Sequence, residues 1–289
     1  MITHSFEYSR SLTNIGEVDF RLHTTVPVLI RRIPNTNLFD GTLPWPYIEL
    51  SDICEIEGLI KAYPELVTIT GNIAPTSSIK VDTRSHYYVF PHKSHFVYDP
   101  HLPFQVSART RRHINNGSRL NCLSTPPPKK HGDLTQEILF LYDQFSNRKK
   151  LAESCFMFGG AHFEFFQNDA TARIFIARDE RLNLSAIALG FLSGTNLHIA
   201  HIIIGDDGLK NDAGYALMNS VISFATENDF RVYFGGLPSQ NQGGLYLFKK
   251  RWSNLLVESR FLKVVIQPEK YRELVYGKSA SSYFPLYRN

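Results

Sequence analysis

The sequence of 289 residues lacks most features that mark membrane, secreted or metal-binding proteins. It has no apolar run of the ~18 residues that a transmembrane helix needs, and its first ten residues do not read as a cleaved secretory signal. Its three cysteines, Cys54, Cys122 and Cys155, lie far apart without a C-x-x-C pair. This spacing argues against a disulfide framework and a zinc site. We therefore expect a soluble cytoplasmic protein with reduced thiols, no membrane span and no metal.

The charge and size narrow the possible partners. The net charge is +4 and is spread along the chain, which favours local sites for anionic small ligands over a surface that coats nucleic acid. A hydrophobic content of 43% can build substantial cores. The length predicts about two domains.

Prolines mark the clearest break in the chain. Residues 125–132 contain Pro126, Pro127 and Pro128 before two lysines, a composition typical of an extended connector. The sequence therefore predicts an N-terminal domain at 1–124 and a C-terminal domain at 133–289. A helix is predicted over 133–150, with Asp133 as its cap, and a second helical or mixed segment over 153–166.

The later part of the chain predicts a mixed α/β sheet flanked by helices. Apolar β-favouring runs predict strands, and apolar residues at helical spacing predict helices. The predicted strands are 173–177, 185–192, 197–204, 231–234 and 255–266, and the predicted helices are 213–227 and 245–252. The turn at 193–195 makes the second and third strands a hairpin. Earlier, short β-like pieces occur at 28–33, 66–69 and 86–90, and the basic segment 104–117 predicts a short helix that stops at Asn116-Gly117.

The most informative segment is Gly235 to Trp252. It reads as a strand end, a glycine-rich turn and the start of a basic, aromatic helix. A helix that starts after small residues offers backbone N–H groups and a positive dipole end to an anion. This segment alone predicts a site for a phosphate or carboxylate.

Two motifs resemble a known family. Phe234-Gly235-Gly236 followed by Gly244-Leu245-Tyr246-Leu247-Phe248-Lys249 resembles the phenylalanine-lysine helix of the Fem family of aminoacyl transferases. Ser107 with Arg111-Arg112-His113-Ile114 is similar to the Ser, Arg-Arg-x-Ile segment of the same proteins. With the order of strands and helices, the likeness spans about residues 104–266 and indicates the GNAT N-acyltransferase fold.

The resemblance implies a specific fold and activity. Fem-like proteins consist of two GNAT-like lobes, of which the first is degenerate, and move an acyl or aminoacyl group onto an amine. We therefore expect an acyltransferase without a tightly bound cofactor, whose co-substrate is an acyl-CoA, a carrier-bound thioester or an aminoacyl-tRNA. Two alternatives stay open: a non-catalytic binding or assembly module that has lost its donor, and an RNA-binding protein that uses Arg109, Arg111, Arg112 and Lys249.

The resemblance places a donor site before the predicted helix 213–227. Lys210, Asn211, Gly214 and Ala216 stand where GNAT enzymes present backbone N–H groups to the pyrophosphate of coenzyme A. Asn211 replaces the usual glutamine or arginine, and Asp212 adds a negative charge. The alternative is a turn and a helix start whose small residues serve packing.

The general acid expected from the resemblance is replaced. Many GNAT enzymes use a tyrosine seven residues after an asparagine at the strand end; counting from Asn241 reaches Phe248, which has no proton to donate. Tyr246 lies about 200° away around the helix, and its alternative role is that of a half-buried aromatic. His198, His201 or Glu164 could act as the base for the amine, although a histidine on a strand is more often packed or exposed.

Cationic residues complete the prediction. Lys249 resembles the Fem-type lysine that neutralises phosphate, and we expect it to bind substrate together with Asn241. Arg111 and Arg112 could bind a carboxylate or phosphate through their guanidinium groups. For all three cations the alternative is a solvated charge on a helix surface.

Overall fold

The fold was analysed in a computed structural model, which describes residues 2–22, 24–83, 86–125, 134–151, 157–237, 243–279 and 284–288. Within these ranges the helices are Phe6–Arg10 (α1), Ile53–Ala62 (α2), Ala108–Leu120 (α3), Thr135–Lys149 (α4), Gly160–Asn168 (α5), Asp206–Lys210 (α6), Ala213–Glu227 (α7), Gly244–Arg251 (α8) and Pro268–Val275 (α9). Short 3-10 turns lie at Ile2–His4 and Leu286–Arg288. None of these helices has the length and apolar character that a membrane crossing requires.

The other regular elements of the described chain are strands. They are Glu17–Asp19 (β1), Val28–Arg32 (β2), Phe39–Thr42 (β3), Thr68–Ile73 (β4), Asp82–Thr83 (β5), Tyr87–Tyr98 (β6), Asn121–Ser124 (β7), Ala172–Asp179 (β8), Leu184–Ser193 (β9), Asn196–Ile204 (β10), Arg231–Leu237 (β11) and Leu255–Val265 (β12). Most neighbouring strands are antiparallel, while β3 with β4 and β10 with β11 are parallel. The prediction of a mixed α/β sheet flanked by helices is confirmed.

The chain divides into two compact units. The terminal unit consists of Thr3–Lys93 and Glu258–Asn289, and the central unit is Ser94–Val257. These limits differ from the predicted boundaries at 124 and 133, because α3 packs on α7 and therefore belongs with the later elements. The predicted connector, apart from Thr125, lies outside the described residues, as does Asp133. That the terminal unit is a degenerate copy of the same fold stays a prediction.

In the terminal unit the strands lie in the order β1-β2-β3-β4-β12-β6, and β5 pairs with β6. Helix α2 starts at Asp52, whose carboxylate accepts the backbone N–H of Glu55 at 3.3 Å. Its apolar face buries Ile56 and Leu59 in a core that includes residues of β2, β4 and β12. Burial of such side chains contributes roughly 1.5–3 kcal/mol each.

In the central unit the order is β6-β11-β10-β9-β8-β7. The predicted hairpin of β9 and β10 is confirmed, and so is the helix at 213–227. Alternate side chains of the strands face opposite sides, so Ala186, Ala188 and Leu197 pack with α7. The opposite face of the sheet is covered by α4 and α5, which contact β8, β9 and β10.

Helix α3 is longer than the sequence predicts. It continues through Asn116-Gly117 to Leu120 instead of stopping there. The reason is packing: a Cβ at Gly117 would overlap the carbonyl oxygen of Asp212 and lie 3.0 Å from Cβ of Ala216. The glycine therefore allows α3 and the start of α7 to approach closely and does not end the helix.

This close approach predicts the effect of a single methyl group. We expect Gly117→Ala to lower the free energy of unfolding by about 1–2 kcal/mol, because the overlap with the backbone of Asp212 outweighs the roughly 1 kcal/mol that alanine gains in a helix. Gly244→Ala in α8 is the matched control, since a Cβ there meets no heavy atom within 4 Å. Urea unfolding of both variants measures the difference, and equal stabilities would contradict the packing argument.

Candidate functional site

The central unit contains a break in its sheet between β10 and β11. These strands pair in parallel only from Asn196–Arg231 to His198–Tyr233. Strand β10 then continues to Ile204 and β11 to Leu237, with no further pair between them. Irregularities on both sides accompany the divergence, at Ile199/His201 in β10 and at Tyr233/Gly236 in β11. The facing strand edges beyond this point can bind a ligand through backbone groups.

Lys249 places a positive charge beside this divergence. A Cβ at Gly235 would lie 3.1 Å from Nζ of Lys249, so the lysine lies against the diverging half of β11. Gly235 has a φ of +78°, a backbone conformation in which a residue with a larger side chain would be strained. Lys249 is half-buried, whereas its neighbour Lys250 is exposed. The sequence-predicted anion site therefore has one partly covered cation next to the strand edge.

The other predicted residues around α8 have different environments. The Tyr246 ring packs edge-to-face on Phe96 at 5.4 Å, and Nζ of Lys250 lies 5.7 Å from its centroid. Phe248 packs against the core of the central unit. Asn241 lies outside the described residues, so its predicted role in substrate binding stays a prediction.

The start of α7 carries its own anion. Asp212 has a φ of 59° and its carboxylate accepts Nδ1–H of His113 at 3.0 Å and Nδ2–H of Asn116 at 2.8 Å. The His113 ring stacks on Tyr215 at 4.6 Å, and Nη1 of Arg251 donates to the Tyr215 hydroxyl at 2.8 Å. A carboxylate at a helix N-terminus is stabilised by the dipole and repels a second anion.

The residues predicted to bind coenzyme A make packing contacts and local hydrogen bonds at the start of α7. Gly214 is buried, and a Cβ there would lie 2.5 Å from Cδ1 of Ile204. Ala216 is buried against Gly117. Asn211 accepts the backbone N–H of Ala213 at 3.3 Å, and the exposed Lys210 pairs with Asp207 at 2.8 Å. Small side chains at Gly214 and Ala216 thus have a packing reason that involves no ligand.

Both predicted histidines are buried on the α5 side of the sheet. His198 lies between the rings of Phe191 and Tyr233, at 5.2 and 4.8 Å. Nε2 of His201 lies 2.8 Å from Nε2 of His162, so one imidazole donates to the other. Burial lowers the pKa of His198 and of His201 to about 3. At neutral pH these imidazoles are uncharged and weak bases.

The remaining predicted residues lie at exposed positions. Glu164 is on the exposed face of α5, opposite to the buried His162. Arg111 and Arg112 are exposed on α3 and form no ion pair with a described residue. The structure therefore does not bring Glu164 together with His201, although it keeps the arginines accessible.

The sequence reasoning missed two sets of residues. The first is His113 and Asn116, which lie three residues apart on one face of α3 and hold Asp212. The second is His162 within the phenylalanine-rich α5, which pairs with His201. Helical spacing could have grouped His113 with Asn116, but neither partner lies near in sequence. The described residues include no group of three or more histidine, cysteine, aspartate or glutamate side chains suited to a metal ion.

Comparisons with known proteins find likeness only at the level of structure. No family model matches the sequence, and no curated protein matches it. The structure of FemX covers 95% of this chain and 94% of its own, with a TM-score of 0.62 and 11% identity. L-PGS from Bacillus licheniformis covers 89% of this chain and 86% of its own, at a TM-score of 0.60 and 13% identity.

A third structure agrees with these two. It is the C-terminal domain of a lysylphosphatidylglycerol synthetase candidate from Agrobacterium fabrum, which covers 93% of this chain and 90% of its own at a TM-score of 0.59 and 12% identity. These identities are too low to assign a family. The structural similarity over most of the chain shows an acyltransferase-like fold.

The role of Asp212 predicts a stability difference. Asp212→Ala removes both hydrogen bonds and puts alanine in the left-handed region, so we expect the free energy of unfolding to fall by about 2–4 kcal/mol. Asp212→Asn keeps an acceptor and tolerates this φ, and should cost about 1 kcal/mol. The control is Asp207→Ala, which removes an exposed carboxylate and should cost less than about 1 kcal/mol. Equal free energies of unfolding for Asp212→Ala and Asp207→Ala, measured with denaturant, would contradict the prediction that Asp212 stabilises the fold.

Burial of His198 predicts a pH dependence of stability. Its pKa is about 3 in the folded chain, against about 6.5 when unfolded. Between these values the unfolded state binds a proton that the folded state does not, so the free energy of unfolding falls as the pH falls. The contribution is about 1.4 kcal/mol per pH unit, and we expect His198→Phe to remove it from the measured slope.

The control for this experiment is His86→Phe, which replaces an exposed histidine. Unfolding is followed at several pH values between about 4 and 6, within the window set by the two pKa values. An unchanged slope in His198→Phe would contradict the burial of a neutral imidazole at this position.

Proposed function

We propose that the central unit is an aminoacyl transferase, which moves an aminoacyl group from an aminoacyl-tRNA onto an amine. The observation that carries the proposal is the divergence of β10 from β11 after His198–Tyr233, with Lys249 against Gly235 beside it. The aminoacylated end of the tRNA can lie along the open strand edges, where backbone groups orient the ester carbonyl. The amine then attacks the ester carbonyl, and the tRNA 3′ hydroxyl leaves.

Positioning supplies most of the catalysis in this proposal. Holding donor and acceptor in a reactive geometry can lower the barrier by about 7–11 kcal/mol. The tyrosine general acid whose place Phe248 takes is therefore dispensable, and the buried histidines need not act as bases. Lys249 stabilises negative charge on the donor phosphate or on the tetrahedral oxygen.

The start of α7 supports tRNA over coenzyme A as the donor. In the expected coenzyme A site, Asp212 already supplies a carboxylate to the helix N-terminus, and α3 packs against it through Gly117. A pyrophosphate there would face a fixed negative charge. The exposed cations Arg109, Arg111 and Arg112 on α3 suit the phosphates of RNA instead.

One of the similar structures supports transfer of an aminoacyl group. The lysylphosphatidylglycerol synthetase candidate has a similar fold along most of the chain, and its name denotes a protein that handles a lysyl group.

A charge-neutral variant tests the role of Lys249. We expect Lys249→Gln to lower kcat/KM for aminoacyl transfer about 10- to 100-fold, since a charge-assisted hydrogen bond contributes about 1.5–3 kcal/mol. Lys250→Gln removes the same charge from an exposed neighbour and should change kcat/KM by less than about threefold. Equal losses in both variants would mean that Lys249 acts only through the general positive charge of α8.

Donor binding separates the proposal from its alternative, a non-catalytic module. In calorimetric titrations we would use a mixed aminoacyl-tRNA pool, deacylated tRNA and acetyl-CoA. Binding of tRNA with a salt-dependent affinity supports the proposal. Tight binding of acetyl-CoA would overturn the argument from Asp212, and binding of neither donor would favour the non-catalytic module.

A further inference from the structure

A cavity of about 500 Å³ in the terminal unit has an unusual concentration of arginine. It lies between the loop after α1, strand β2 and the turn at Leu286–Arg288. Arg31, Arg32 and Arg288 line it, together with Glu17. The proposed aminoacyl transfer does not use any of these residues.

A buried carboxylate holds two of the arginines in place. Asp40 is fully buried on β3, directly opposite Arg31 of β2. It accepts Nε–H of Arg31 at 3.0 Å, and Nε–H and Nη2–H of Arg288 at 2.5 and 2.9 Å. The Tyr287 hydroxyl donates to the same carboxylate at 3.1 Å. These bonds fix the orientation of both guanidinium groups.

The same bonds leave guanidinium donors unused. No described residue accepts a hydrogen bond from either Nη of Arg31 or from Nη1 of Arg288. The side chains are 23% and 16% exposed, so these groups keep access to solvent at the cavity. A charged acceptor that enters the cavity can therefore bind these donors.

The charge balance at the cavity is positive. Arg32 also lines the cavity, and its guanidinium donates to the carbonyl of Thr36 and to Asn37, both at 2.7 Å. Among the described residues, the carboxylates of Asp40 and of the exposed Glu17 stand against these three arginines. The described charges around this cavity therefore sum to one positive charge.

We propose that this cavity binds the phosphate group of a small molecule through Arg31 and Arg288. A guanidinium matches the oxygens of a phosphate with paired N–H groups, and a phosphate has enough oxygens to accept hydrogen bonds from both Arg31 and Arg288 at once. The volume falls within the range of small-molecule sites and exceeds what one phosphate fills. The phosphate is therefore the anchoring end of a larger ligand.

Titration with inorganic phosphate tests the proposal on the full chain. Side-chain Nε–Hε resonances of Arg31 and Arg288, assigned with Arg31→Lys and Arg288→Lys, should shift with saturation in the millimolar range or below. Acetate at equal ionic strength should shift them much less. No shift with phosphate up to tens of millimolar, or an equal response to acetate, would overturn the assignment.

A conservative variant adds an affinity measurement. Arg31→Lys keeps the charge opposite Asp40 but loses the paired donors, so we expect the phosphate dissociation constant to rise at least about tenfold. The control is Arg272→Lys on α9, an exposed arginine of the same unit that does not line the cavity. An unchanged dissociation constant in Arg31→Lys would contradict the proposal, and the resonances of the wild-type chain decide the matter if that variant does not fold.

Discussion

The short parallel pairing between β10 and β11 is the constraint on which the central unit depends. Three residue pairs, ending at His198–Tyr233, hold the two strands together before they diverge. The rings of Phe191, His198 and Tyr233 stack at this last pair, which fills the space where the sheet begins to open. Beyond it the strand edges are available, and α8 returns to place Lys249 at Gly235. The cleft is thus a consequence of strand pairing, and the helices on either face only support it.

Regular elements of this unit could be predicted because each has a periodic pattern over many residues. Helix α7 and the hairpin of β9 and β10 lie where apolar spacing and the turn at 193–195 place them. The sequence could not show which face His198 and His201 share. A spacing of three predicts opposite faces, but the register shift after Ile199 pairs these histidines with Phe191 and Leu189, which lie on one face. Both therefore enter the buried layer beside α5.

The candidate site shows a second limit of sequence reasoning. A helix start with Gly214 and Ala216 has the same letters whether it binds a pyrophosphate or packs against a neighbour. The difference lies in distant residues: Ile204 leaves no room for a Cβ at Gly214, and Gly117 of α3 faces Ala216. From the sequence alone, Asp212 is an unfavourable charge at this position. In the structure, His113 and Asn116, almost a hundred residues away, donate hydrogen bonds to its carboxylate. Contacts of this kind are set by tertiary packing and leave no local pattern.

The partly buried Asp212 and the fully buried Asp40 illustrate how the partners of a carboxylate decide whether an anion can bind beside it. Asp212 takes its hydrogen bonds from one histidine and one amide and lies at a helix N-terminus, so it keeps a negative charge where a second anion would have to bind. Asp40 takes its bonds from two arginines, which it orients but cannot neutralise together. The first arrangement disfavours a second anion at the start of α7, and the second favours an anion beside Arg31 and Arg288. Because both effects follow from the groups that surround a single carboxylate, anion binding in this chain depends on those partners and not on the strand order.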